Sequence, residues 1–416
     1  MNSTDPEGHR ARPARRYDAI VVGARCAGAA TAMLLATKGY DVLLADRATF
    51  PSDTVSTHVI HPPGLTALRR WGLLGDLVTT GCPWLPTYTF DFGPLVITGT
   101  PTAPDGTAGA YAPRRIVLDE LLVRAAEKAG AELREGFSVS ELIFDGERVV
   151  GVRGRAGGGA HVSEYARVVI GADGVHSRVA EQVHAPRYRE GPVLASAYYA
   201  YWSGVPATGA QWMIRPGRGF GLIPTNDDMT LVLAAWPQAE VAKVKEDLQG
   251  NYLREVTAAI GGRLDRGRQE TRVVGEGVPN RFLTPYGPGW ALVGDAGYAR
   301  DPVTAQGITD AFRDAQMCAD ALDSAWRGSC GYDDALTQYQ QRRDECALPM
   351  YEFTERLADL AVPPAPEMQR LLGAIAGHQQ AMDAFASMFA GALPVPAFFN
   401  PAHIASLIGT DTSALG

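Results

Sequence analysis

The chain has 416 residues, 46% hydrophobic and 20% charged, with a formal net charge of −8. That length allows two domains or one large elaborated one with a sizeable core, and the composition is that of a soluble globular protein. The acidic balance excludes a nucleic-acid binder with a basic face, and with no apolar run of membrane-span or signal-peptide type, membrane association is excluded and a cytoplasmic location is expected.

Residues 1–16 are polar, rich in Arg and Pro, and lack an apolar period, so a disordered tail is predicted. Residues 17–46, YDAIVVGARCAGAATAMLLATKGYDVLLAD, then read as strand, Gly-rich turn, small-residue helix, second strand and terminal acid. That order suits a dinucleotide. Gly23 makes the tight turn, Gly28 lets the helix pack close to the strand, and the helix N-terminus, next to Ala27, faces a pyrophosphate. Asp46, followed by Arg47, stands eighteen residues after Gly28, where an acid accepts ribose hydroxyls. Arg25 occupies the place of the middle glycine. Its guanidinium either lies beside the pyrophosphate or turns to solvent or to a carboxylate of the protein.

A Pro- and His-bearing stretch, TFPSDTVSTHVIHPPG, leads to the helical pattern LTALRRWGLLGDLV from Leu65. Segments 84–99 and 193–236 alternate aromatic or β-branched residues with polar or small ones, predicting antiparallel strands of a separate sheet that carries Tyr199, Tyr201, Trp212 and Phe220. Between them lie a helix ending at Gly130, short strands with a turn at Asp145-Gly146, and the strand ARVVIGADG. From Trp290 the pattern is strand, turn and a long helix over Gly307 to Trp326. The remainder is mostly helical, broken at Val362-Pro363-Pro364 and at 394–401, and its helices either cap a pocket or form the face of a homodimer. The five cysteines are odd in number and lack C-x-x-C spacing, so neither disulfides nor a metal site is expected.

The predicted class is α/β. A Rossmann-like dinucleotide domain is assembled from 17–83, 111–183 and 277–345, an antiparallel-sheet substrate domain is inserted as 84–110 and 184–276, and residues 346–416 form a helical C-terminus.

Two later segments repeat the grammar of the first: VVIGADGVHSRVAEQV, with Asp173, and WALVGDAGYARDPVTAQGITDAFRDAQ, with Gly294, Asp295, Pro302 and Gly307. A long cofactor crossing several strand ends needs an acid for its sugar-chain hydroxyls and a second helix N-terminus for partial negative charge. A nicotinamide dinucleotide has no polyol chain, whereas FAD has a ribityl linker. With these three motifs in order, residues 17–345 resemble the group A flavoprotein monooxygenases, the p-hydroxybenzoate hydroxylase-like superfamily that also contains flavin-dependent halogenases and geranylgeranyl reductases. The resemblance implies FAD held by Gly23, Ala27, Gly28, Asp46 and Arg47 towards the adenosine end and by Asp295, beside Gly294, at the ribityl chain. It further implies Arg115 at the pyrophosphate, Val139 at the adenine, and Gly307 and Ile308 at the pyrimidine ring of the isoalloxazine. Asp173 is read as a helix cap, a cofactor contact or both. Tyr298 stands where the superfamily often has His.

The same resemblance implies a monooxygenase using NADPH or NADH and O2, without a second nucleotide domain, on an aromatic or polyketide-like small molecule. Tyr199, Tyr201, Trp212, Phe220 and Pro302 are the expected substrate contacts, and His58 and His61 either position substrate and relay a proton or are structural. The halogenase motif W-x-W-x-I-P is met by Gly219-Phe220-Gly221-Leu222-Ile223-Pro224, with glycine at both tryptophan positions, which disfavours halogenation. The Cys typical of the reductase branch is missing from TVSTHVIHPPG. A reductase or dehydrogenase of geranylgeranyl reductase type, and a flavin-binding protein without turnover, remain the alternatives.

Overall fold

The computed structural model describes residues 16–157, 159–362 and 364–408. Residues 1–15 of the expected tail, and Pro363 of the expected helix break, lie outside them. Arg16 is not part of a tail, because it opens the first strand, β1 (Arg16–Val22).

One of two eight-stranded sheets places β1 at its centre, flanked by β2 (Val42–Ala45) and then β3 (Glu132–Arg134) on one side, and by β4 (His161–Gly171) and then β5 (Trp290–Leu292) on the other. All four pairings are parallel, with Val22 opposite both Ala45 and Gly171, and Gly171 opposite Leu292. This register sets the carboxyl ends of β1, β2, β4 and β5 in one row, so the turns after them converge although they lie far apart in sequence. Both sheet faces are covered, which is why the strands read as continuous apolar runs. Val21, Leu44, Ile170 and Val293 pack against helices α1 (Cys26–Thr37), α2 (Arg115–Lys128) and α3 (Gly307–Trp326). Ile20, Leu43, Val169 and Leu292 pack on the opposite side against the hairpin of Ser138–Asp145 and Arg148–Arg155. Helix α1 is apolar almost all round and correspondingly buried on all sides.

The inserted sheet is built mainly from Ala195–Ser203, Met229–Pro237, Arg218–Pro224, Ala210–Arg215, Tyr88–Asp91 and Val96–Gly99, in that spatial order. It is antiparallel with one correction to the expectation: Tyr88–Asp91 runs parallel to Ala210–Arg215, because a long stretch of the parallel-sheet domain separates them in the chain. The two-residue period divides its aromatics. Tyr198, Trp202 and Trp236 face the helix Leu248–Ile260, whereas Tyr199, Tyr201 and Trp212 face the C-terminal helices.

Helix α4 (Tyr332–Ala358) crosses the boundary expected at residue 345. Its first half packs with the parallel sheet, where the Tyr339 hydroxyl donates to the Leu292 carbonyl at 2.8 Å, and its second half brings Met350 and Phe353 to the inserted sheet. The helices Pro366–Ile375 and Gln379–Phe389 complete that side. Among the described residues no helix is long and apolar enough to cross a membrane.

Candidate functional site

A cavity of about 590 Å³ follows the row of strand ends. Gly23, Arg25 and Ala27 line it after β1, Asp46 and Arg47 after β2, Asp173 after β4, and Asp295 after β5. Arg115, at the start of α2, and Val139 complete its flank, and Gly307 and Ile308 present the start of α3. Local backbone demands explain the glycines. Gly23 has φ +99°, and a Cβ there would lie 2.5 Å from the Ala172 carbonyl oxygen. At Gly307 a Cβ would meet no protein atom within 4 Å, so the first turn of α3 opens onto free space. Gly28 and Gly294 are not part of the cavity wall and act on the packing behind it.

The acids around this cavity are held in different ways. Asp46 accepts the Ala24 and Ala48 amides, each at 2.7 Å, and so ties its own strand end to the glycine turn while facing the cavity. Asp173 accepts the Ser177 hydroxyl and the amides of Arg178 (2.7 Å) and Val179 (3.3 Å), so its carboxylate caps the following helix as well as lining the wall. Asp295 makes no hydrogen bond with the described residues. It is the exposed residue in a buried run, its carboxylate opening into the cavity while protein surrounds it elsewhere. That enclosure, with nearby Asp310 adding like charge, pushes it up to about 6. An acid free to accept two hydroxyls, at the end of an internal void, fits a polyol. Asp295→Ala is therefore expected to lose bound flavin on dilution; unchanged retention, read as visible absorbance per protein after gel filtration, would reject the ribityl assignment.

Arg25 lines the cavity and at the same time turns its guanidinium to a carboxylate of the protein. Its Nη1 lies 2.7 Å from Asp119 Oδ2, and it also donates to the Ser52 carbonyl (3.3 Å), the Ser52 hydroxyl (3.2 Å) and the Asp53 carbonyl (3.3 Å). The guanidinium thus joins the glycine turn to the 52–57 loop. Fully buried Asp119 also receives a two-pronged fork from Arg115, Nε and Nη2 each at 3.0 Å. Two guanidinium groups sharing one carboxylate leave excess positive charge beside the Gly23 turn. The RIVLD run indicated Arg115, but the partnership of Asp119 with Arg25 spans 94 residues and had no local signal.

A second cavity, of about 1,610 Å³, lies between the inserted sheet and the C-terminal helices. Trp212 lines it with Phe90, Phe385 and Phe389, and Gly219 and Gly221 lie along its floor. Phe220, expected as a substrate contact, borders the cavity from between those glycines, but its ring packs with Tyr198 and Trp202 on the other face of the sheet. The two cavities share Thr57, Ala197, Leu233, Asp301, Pro302 and Ala305. Pro302 is therefore at the junction. Tyr199 lines the first cavity only, its hydroxyl accepting the Ser56 amide at 3.2 Å, and Tyr201 lines neither.

The two histidines line neither cavity. His58 is fully buried, its Nε2 bonded to the Tyr201 hydroxyl, and burial followed by nearby Arg115 and Arg114 brings it down to about 3. His61 ends the loop just before a helix begins at Pro62. Its Nε2 donates to the Thr304 carbonyl at 3.0 Å, so Nδ1 accepts from the Tyr88 hydroxyl at 2.5 Å. Burial brings His61 down to about 4. Both rings are neutral braces between the loop and the inserted sheet, outside both cavity walls. The residues missed from sequence, Asp301 and the Phe385–Phe389 wall, come from a turn noted only for Pro302 and from helices whose place was open.

Residues 16–354 match the family described as FAD binding domain. The chain belongs to this FAD-binding family. Its fold also matches a myxobacterial chondrochloren halogenase, described as FAD-dependent, with TM-score 0.77 and 23% identity over 94% of this chain and 95% of that one. Curated relatives include a digeranylgeranylglycerophospholipid reductase of Methanocella arvoryzae, 26% identical over 78% of this chain and 81% of the relative. Another is the putative FAD-dependent monooxygenase YetM of Bacillus subtilis, 22% identical over 85% and 96%. The chain spans only 66% and 64% of the length of two further curated relatives. The protein is thus an FAD-binding flavoprotein of an oxidoreductase family that includes monooxygenases, halogenases and reductases.

Proposed function

We propose that this protein is an FAD-dependent monooxygenase that hydroxylates, epoxidises or N-oxidises an aromatic or polyketide-like small molecule, using NADPH or NADH and O2. The observation that carries this reading is the large cavity, lined by Phe90, Trp212, Phe385 and Phe389, that meets the cofactor cavity across a shared wall. FAD bound in the inner cavity would supply the electron transfer and oxygen activation. The chain's own residues would hold FAD through Asp46, Arg115, Asp295 and the start of α3, and hold the substrate against the flavin end through the apolar wall. That wall also excludes water from the reacting atoms.

A cavity of about 1,610 Å³ exceeds the few hundred to 1,000 Å³ of ordinary small-molecule sites, which supports a multi-ring substrate over a single ring. Gly219 and Gly221 contribute to that room, since a large side chain at either position would project over the floor. The test is oxygen and nicotinamide consumption by the flavin-loaded protein with a panel of multi-ring phenols and amines. Ligand-dependent nicotinamide oxidation with one atom of labelled dioxygen entering the product is expected. Turnover that proceeds without oxygen would replace this reading with the reductase, and no stimulation by any ligand would favour a non-catalytic flavoprotein.

A further inference from the structure

Asp301 belongs to both cavity walls and is the only ionisable residue among the six that they share. Its side chain is buried, with 2% of the residue exposed. Oδ1 accepts the Val303 amide at 3.1 Å and Oδ2 accepts the Ala195 amide at 3.3 Å, leaving lone pairs on both oxygens. No lysine, arginine or histidine among the described residues forms an ion pair with it. Capping the short turn Pro302–Thr304 explains one acceptor, but serine or asparagine would cap it without burying a charge. An unpaired carboxylate in a dry interior is costly unless something else uses it.

We propose that Asp301 is a catalytic residue of the monooxygenase reading, accepting the proton of a phenolic or N–H group on an apolar ring system held at the junction of the two cavities. The substrate's O–H or N–H bond breaks, its proton passes to a carboxylate oxygen of Asp301, and the electron pair stays on the substrate heteroatom. The ring becomes more electron-rich, as attack on an electrophilic oxygen requires, and this proton transfer consumes no oxidant. Burial raises the Asp301 carboxyl to about 7, close to the value at which a general base serves best near neutrality.

No other ionisable side chain belongs to both cavity walls; Glu276, opposite Ala197 in the inserted sheet, lines the inner cavity alone. The inserted sheet presents Ala195, Ala197 and Leu233 to the junction, and the strand Asn280–Leu283 presents the Asn280 side chain, which accepts the Asp301 amide at 2.8 Å. Arg300, next in the chain, has its Nη2 on Asp310 at 2.5 Å. From α4 the charged groups are Glu352 and Glu355, both paired with Arg189, and Arg356, all in the outer cavity; Asp295 and Asp310 lie on the cofactor side.

The inference rests on the proposed function but is tested by binding alone. Calorimetric titration of the flavin-loaded protein compares 2-naphthol, which carries the O–H, with 2-methoxynaphthalene, which does not. At pH 8, with Asp301 ionised, 2-naphthol is expected to bind roughly tenfold tighter, the effect of one hydrogen bond to a charged acceptor. At pH 6, with the carboxyl protonated, the gap should narrow to about threefold or less, because a neutral acceptor bonds more weakly. Asp301→Asn should retain flavin and lose both the pH 8 preference and its pH dependence. Equal binding of the two probes at pH 8, no binding of 2-naphthol, or an unchanged preference in Asp301→Asn would each overturn the assignment. The wild-type comparison decides the matter even if the variant fails to fold. A naphthol preference without oxygen insertion would sink the monooxygenase reading and leave a proton-accepting site.

Discussion

Replacing Arg115 by alanine is expected to cost about 3 kcal/mol of stability, the lower end of the range for breaking a buried ion pair. Arg115 is itself buried, and its fork supplies two of the hydrogen bonds that satisfy fully buried Asp119. Removing it leaves that carboxylate with one remaining cation, Arg25, at 2.7 Å, and with the Cys26 thiol at 3.3 Å. Arg25 keeps the loss from being larger, but its hold on the 52–57 loop then depends on a poorly compensated partner. Flavin retention should fall with stability, since Arg115 also lines the cofactor cavity. Arg115→Lys should recover little of either, because an ammonium cannot reproduce the two-pronged geometry. Urea unfolding with an unchanged slope measures the first effect, and flavin absorbance after gel filtration the second. An unchanged midpoint would mean that the Asp119 network is not what holds this end of α2.

Gly28→Ala should be at least as damaging, and for a different reason. An added methyl carbon would stand 1.8 Å from the Gly23 carbonyl oxygen and 3.0 Å from the Ala172 side chain. The first obstacle is backbone, so no rotamer change relieves it, and α1 must move away from the Gly23 turn that lines the inner cavity. A loss of roughly 3 kcal/mol, the upper end for overpacking, is expected together with failure to retain FAD. Gly307→Ala supplies the contrast. Its methyl would meet no protein atom, so unfolding of the flavin-free protein should be nearly unchanged, while bound flavin at the start of α3 would be crowded and its affinity lowered. If Gly307→Ala retained FAD as well as the parent protein, the isoalloxazine would not lie against that helix start.

The cofactor side was largely readable from local pattern because its chemistry is carried by short strand-turn-helix units. Gly23 has to adopt a positive φ, and an acid at the end of β2 has to meet the turn after β1, so residue type and spacing express the constraint directly. Arg25 was not readable in the same way. A guanidinium reaches several ångströms in any direction, and only folding showed Asp119 and Ser52 at its tip. The placing of His58 and His61 outside both cavity walls was not readable either, because their rings are drawn into buried contacts with Tyr201, 143 residues away, and Tyr88, 27 residues away. Tyr201 shows the limit of a two-residue alternation. It identifies the face, but not whether the side chain ends in the cavity or, as here, against His58 and beneath the Arg114 guanidinium, 5.0 Å from its ring centre.

From its own order the chain determined the dinucleotide grammar, the acids that follow its strands, and the division of the inserted sheet into two faces. Each of these depends on neighbours within a turn, or on a period of two or 3.6 residues. The tertiary structure decided which of those acids remain free for a ligand, where Arg25 points, which aromatics become wall, and that Asp301 stands between two cavities. Those outcomes depend on the parallel register that aligns four strand ends and on the C-terminal helices that close the far side. Contacts across such distances are set by the summed packing of many side chains, and no short stretch of sequence contains that sum.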